Sequence, residues 1–61
     1  MLSRLEIIKQ ILNSLGVYIY DLAVEIDSGK EGTFKALNGL TYTYRRIRER
    51  ADRFKNIKPG I

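Results

Sequence analysis

Apolar residues in the first half of the chain, Leu5, Ile8, Leu12, Leu15, Ile19, Leu22 and Ile26, recur at spacings of 3, 4, 3, 4, 3 and 4. That is an unbroken a/d heptad seam, and it predicts one amphipathic helix over about residues 3–27. Such a helix would be roughly 36 Å long. Ser3 followed by Glu6 is a capping box that starts it, and Asp27-Ser28-Gly29 is its stop, with Gly29 free to turn left-handed. In the second half Leu37, Leu40, Tyr44, Ile47, Ala51 and Phe54 repeat the pattern, predicting a second helix over about 33–57. Pro59-Gly60 ends it and leaves a tail over 58–61. The polar connection 27–32, in which Ser28 and Glu31 form another possible capping box, makes the two helices antiparallel neighbours.

Two helices alone do not cover this pattern. Beside the first seam stand Ile11 and Tyr18, with Val17 and Val24 farther round, and an apolar arc that wide asks for burial on more than one side. With 61 residues and no cysteine, the chain is also near the lower size limit for a single domain that folds alone. The fold expected is therefore all-α: an antiparallel two-helix hairpin that dimerises into a four-helix bundle, with Ile11, Tyr18, Val17 and Val24 in the dimer interface.

Two other readings compete with it. Asn38-Gly39 followed by Leu40-Thr41-Tyr42-Thr43-Tyr44 has turn chemistry and period-two alternation. It could pair Thr33–Leu37 with Leu40–Tyr44 as a β-hairpin between two helices, an α+β fold. Alternatively the first helix breaks at Gly16. The helices are then Leu5–Leu15, Tyr18–Ile26 and Thr33–Arg50, the last two forming a helix-turn-helix. Ile19-Tyr20-Asp21-Leu22-Ala23 is similar to the opening of such motifs, with Ala23 the small residue at the crossing. Asp27 stands where a turn glycine is usual, and Ser28 and Thr33 where apolar residues are usual.

Charge divides the chain. Residues 1–32 carry three basic and five acidic side chains, net −2, whereas residues 33–61 carry eight and two, net +6. The basic residues concentrate in Arg45-Arg46-Ile47-Arg48-Glu49-Arg50-Ala51-Asp52-Arg53-Phe54-Lys55, and Lys58 extends them. Glu49 and Asp52 can neutralise Arg45, Arg48 or Arg53 at helical spacing, but Arg46 and Arg50 have no acidic partner in sequence. Arginine suits bidentate phosphate contacts, and Tyr42, one turn earlier, can stack on a guanidinium or a base. Arg45, Arg46, Arg48, Arg50, Arg53, Lys55 and Tyr42 are thus the candidate nucleic-acid contacts, to DNA or RNA. In the bland reading the same arginines pair with acidic residues of the first helix or complement a helix dipole.

The remaining chemistry is thin. Without histidine or cysteine the usual zinc sets are missing, and Asp21 and Glu25 alone do not make a carboxylate metal bundle, so neither a metal nor a cofactor is expected. No hydroxyl among Ser3, Ser14, Ser28, Thr33, Thr41 and Thr43 has an imidazole to activate it, so no enzyme is expected. Ser28-Gly29-Lys30-Glu31-Gly32-Thr33 fails as a phosphate loop, because Val24 stands where its first glycine belongs and Glu31 follows the lysine. The start lacks a secretory pattern and charges interrupt every apolar run, so a cytoplasmic protein without a membrane span is expected. The function expected is a small basic nucleic-acid-binding regulator. The rival is a protein–protein adaptor using the apolar and acidic surface of the first helix, on which Tyr20 lies away from the seam.

Overall fold

A computed structural model describes residues 2–55. Its elements, in chain order, are helices α1 (Arg4–Ser14) and α2 (Tyr20–Asp27), strands β1 (Thr33–Lys35) and β2 (Thr41–Thr43), and helix α3 (Tyr44–Lys55). The fold is a mixed α+β arrangement, so the all-α hairpin and its four-helix bundle are overturned. Each competing reading held one part: the break at Gly16, and the hairpin around Asn38-Gly39. The second helix expected over 33–57 is helical only from Tyr44, and its final two residues and the tail 58–61 lie outside the described residues.

The first heptad run breaks because α1 is closed by a glycine. Ser3 starts the helix with its Oγ accepting from the Glu6 N–H at 3.3 Å, one half of the expected capping box, while the Glu6 carboxylate lies 3.9 Å from the Lys9 Nζ. At the other end the Val17 N–H donates to the Leu12 carbonyl at 2.9 Å and the Gly16 N–H to that of Asn13 at 3.0 Å. This pair of bonds is a Schellman closure, which requires a left-handed residue at its centre, and Gly16 supplies φ +79°. Leu12 and Val17, on either side of the closure, are both buried in the core.

The chain then turns back, and α2 and α3 both pack on α1. Ile8, Leu12, Ile26 and Ile47 are fully buried, and Ala23 and Ala51 let the helices approach closely. The wide apolar arc of the first helix is therefore satisfied largely inside one chain. Ile11 and Val17, expected in a dimer interface, belong to this core, whereas Tyr18 and Val24 remain exposed. α2 stops at Asp27, with Ser28 as its C-cap and Gly29 at φ +93°. The capping box proposed for Ser28 and Glu31 does not form; the Ser28 hydroxyl donates instead to the Glu25 carbonyl at 2.7 Å.

Between α2 and α3 the heptad spacing of Leu37, Leu40 and Tyr44 is overruled by the turn. β1 and β2 pair antiparallel with Thr33 opposite Thr43, Phe34 opposite Tyr42 and Lys35 opposite Thr41. The Gly39 N–H donates to the Ala36 carbonyl at 3.0 Å and the Ala36 N–H to that of Leu40 at 2.9 Å, enclosing the three-residue loop 37–39. Gly39 takes the left-handed position of this loop at φ +85°, the geometry of a type I turn with a glycine bulge. Asn38 fixes it further, its Oδ1 accepting from the Leu40 N–H at 2.9 Å. The period-two pattern decides which face is covered. Phe34 and Tyr42 lie half-buried and stacked at 5.8 Å, while the threonines and Lys35 face out. Leu37 and Leu40, which a helix would have placed in its seam, are 83% and 58% exposed.

No helix of the described residues is long and apolar enough to cross a membrane.

Candidate nucleic-acid interface

α3 begins where the hairpin ends, with Thr43 serving both: its Oγ1 accepts from the Arg46 N–H at 3.0 Å, capping the helix. Tyr44, Ile47 and Ala51 form the buried stripe of α3, so the remaining positions, mostly arginine, project away from the core. The structure separates the candidate cations into three kinds.

Arg48 is an internal fastening. Its guanidinium Nη1 donates to the carbonyls of Ile26 at 3.2 Å and Lys30 at 2.9 Å, its Nη2 lies 3.6 Å from Glu31, and its side chain is only 14% exposed. α2 has no basic residue in its last turn. Arg48 and Arg4 supply positive charge there from other elements, a favourable arrangement for a helix C-terminus. Arg4 donates to the Asp27 side chain at 2.7 Å and to its carbonyl at 2.6 Å. It also lies 3.6 Å from Asp52. The hydrogen bond to Asp27, aided by attraction to both carboxylates, holds the Arg4 guanidinium above its usual range. Sequence reading missed Arg4, whose partners lie 23 and 48 positions away.

Arg48→Ala is accordingly expected to destabilise the fold by about 2 kcal/mol, because two carbonyls lose a charged donor. Arg46→Ala should cost less, about 0.5–1 kcal/mol, the worth of its exposed contact with the Tyr42 ring. Urea unfolding of the two variants measures the contrast, and equal midpoints would refute the assigned role of Arg48.

Arg45 is exposed but paired, its Nε 3.5 Å from Glu49. Because Glu49 turns to Arg45 and Asp52 to Arg4, the Glu49–Arg53 and Arg48–Asp52 pairs suggested by spacing do not form. Arg46, Arg50 and Arg53 are therefore left without an ion pair among the described residues. These three occupy one side of α3 at i, i+4 and i+7 and line an open groove together with Phe54. Lys55 is exposed at the end of the same helix.

Aromatic rings stand at both ends of the row. The Arg46 guanidinium carbon lies 5.9 Å from the centroid of the Tyr42 ring, the stacking partnership expected from sequence. Tyr42 is also held by Phe34 and by Asn38, whose Nδ2 donates to its hydroxyl at 3.2 Å. At the other end Phe54 is 50% exposed beside Arg50 and Arg53. Sequence reading placed Phe54 in the buried seam. Arg4, the first residue of α1, reaches Asp52, so Phe54 lies past the start of α1 and the stripe has lost the helix that covers it.

The chain matches no known protein family, and no curated protein or solved structure matches it either.

Proposed function

We propose that this protein is a small cytoplasmic regulator that binds nucleic acid through one face of α3. The observation that carries the reading is the row Arg46, Arg50 and Arg53. Three guanidiniums share a groove and have no carboxylate partner among the described residues, although acidic side chains pair with cations on either side of them. Unpaired arginines set side by side repel one another, and an anion with several phosphates in series relieves that repulsion. Over the seven residues from Arg46 to Arg53 the helix rises roughly 10 Å, which lets the row follow consecutive phosphates of a strand. Tyr42 orients Arg46, Phe54 offers a ring for stacking at the other end, and Lys55 adds charge. Arg45 contributes less because Glu49 offsets it.

Fluorescence anisotropy of labelled duplex DNA and single-stranded RNA across a salt series tests the proposal. Three phosphate contacts per chain predict a slope of log affinity against log salt of about −2.7 on duplex and about −2.1 on a single strand. No binding at low salt, or affinity independent of salt, would refute it and leave the arginines as surface charge.

A further inference from the structure

We propose that two copies of this chain dock through a patch centred on Tyr18, each inserting that ring into an apolar groove of the other. Tyr18, Ile19, Tyr20 and Leu37 are 76%, 60%, 55% and 83% exposed. They come from two places in the chain, the α1–α2 connection with the first residue of α2, and the tip of the hairpin. The Leu37 N–H, donating to the Leu15 carbonyl at 3.2 Å, brings these together. Gly16 allows the close fit, since Leu37 lies directly against its backbone.

The shape of the patch suits a second copy. Tyr18 is a ridge bordered by three shallow depressions. One of them runs between Ile19 and Leu22 on one side and Phe34 and Leu37 on the other, with Ala36 also lining it. A protruding apolar ring beside an apolar groove is self-complementary, which is what a two-fold contact requires. The four exposed side chains present on the order of 500 Å² of mainly apolar surface, at the upper end of what a monomer shows. Adding the polar rim brings each face towards the roughly 800 Å² per partner of a standard interface.

Charge at the rim points the same way. Lys35 lines the same depression and Asp21 follows Tyr20 in the chain; both are exposed, they carry opposite signs, and neither takes part in an ion pair among the described residues. The proposed two-fold contact pairs Asp21 of one copy with Lys35 of the other. The arginine groove shares no lining residue with the patch, so docking leaves both arginine rows open. The inference therefore stands or falls independently of nucleic-acid binding.

Sedimentation velocity from micromolar to roughly millimolar chain tests it. Wild type is expected to move from a 7.1 kDa monomer to a species of twice that mass. Tyr18→Asp, at an exposed position, should weaken association at least about 100-fold with unchanged circular dichroism, whereas Phe54→Asp should leave it intact. Lys35→Glu should weaken the dimer and Asp21→Lys added to it should restore it. A wild type that stays monomeric throughout would overturn the proposal and assign the patch to a different protein. A dimer unaffected by Tyr18→Asp, or one lost with Phe54→Asp, would overturn it by placing the interface elsewhere. A double charge variant weaker than Lys35→Glu alone would overturn the two-fold arrangement.

Discussion

Gly16→Ala is expected to lower the unfolding free energy by about 3 kcal/mol. Two separate costs combine. The backbone there has φ +79°, where a residue with a Cβ is strained by about 1 kcal/mol or more. The added carbon would also lie 2.6 Å from the Leu37 Cβ and 2.8 Å from its Cδ2, so the hairpin tip must shift off the end of α1. Gly39→Ala separates the two terms, because Gly39 has a similar φ of +85° and open space around it, leaving only the backbone cost. Urea melts of both variants should show a loss for Gly16→Ala about two to three times that for Gly39→Ala. For a domain of this size the total stability is of order 3–9 kcal/mol, so the first substitution removes a large share of it. Equal losses would mean that Leu37 gives way freely and that the hairpin tip is not seated on α1.

The same glycine shows what was legible in the sequence. Of the local capping signals, Ser3 caps α1 through the Glu6 N–H and Asp27-Ser28-Gly29 stops α2, whereas the box of Ser28 with Glu31 gives way to a bond from the Ser28 hydroxyl to the Glu25 carbonyl. The seam Leu5 to Ile26 was also real in composition, but period counting does not register a closed helix end. Leu5, Ile8 and Leu12 and then Leu22 and Ile26 face one core from two helices, and the intact spacing across Gly16 concealed the reversal between them. In the second half the conflict is visible in the sequence itself. Asn38-Gly39 and the alternation through Tyr42 argued for a hairpin, whereas Leu37, Leu40 and Tyr44 argued for a helix. Gly39, which a helix tolerates at a cost of about 1 kcal/mol, is the residue the turn needs, and here it decided the outcome.

The candidate site was legible as a segment and illegible as a surface. Counting charges finds every arginine of α3, and pairing at helical spacing offers Asp52 to Arg48 and Glu49 to either Arg45 or Arg53. The folded chain gives Asp52 to Arg4 and Glu49 to Arg45, and buries Arg48 against α2. The choice of Arg45 by Glu49 is local to α3. The transfer of Asp52 to Arg4 and the burial of Arg48 depend instead on α3 packing on α1 and α2, contacts between residues remote in sequence that no local window contains. Their result is a shorter and more sharply defined row than the sequence offered.

Arg46→Glu combined with Arg50→Glu is therefore expected to reduce nucleic-acid affinity by at least about 100-fold at moderate salt. It should also flatten the salt dependence by about two contacts' worth, close to −0.9 on duplex. Both side chains are exposed and neither forms an ion pair among the described residues; Arg46 gives up only its surface contact with the Tyr42 ring, so the fold should survive, with a urea midpoint close to that of wild type. The ranking among single variants carries as much information as the double one. Arg46→Ala, Arg50→Ala and Arg53→Ala should each cost more affinity than Arg45→Ala, whose charge Glu49 already offsets at 3.5 Å. Arg48→Lys should weaken the fold through the Ile26 and Lys30 carbonyls and alter binding least, because its charge never faces the groove. Anisotropy titrations alongside urea melts place every variant on both axes. If all five arginines lowered affinity equally, the binding would come from net charge alone, and the groove would have no privileged role in it.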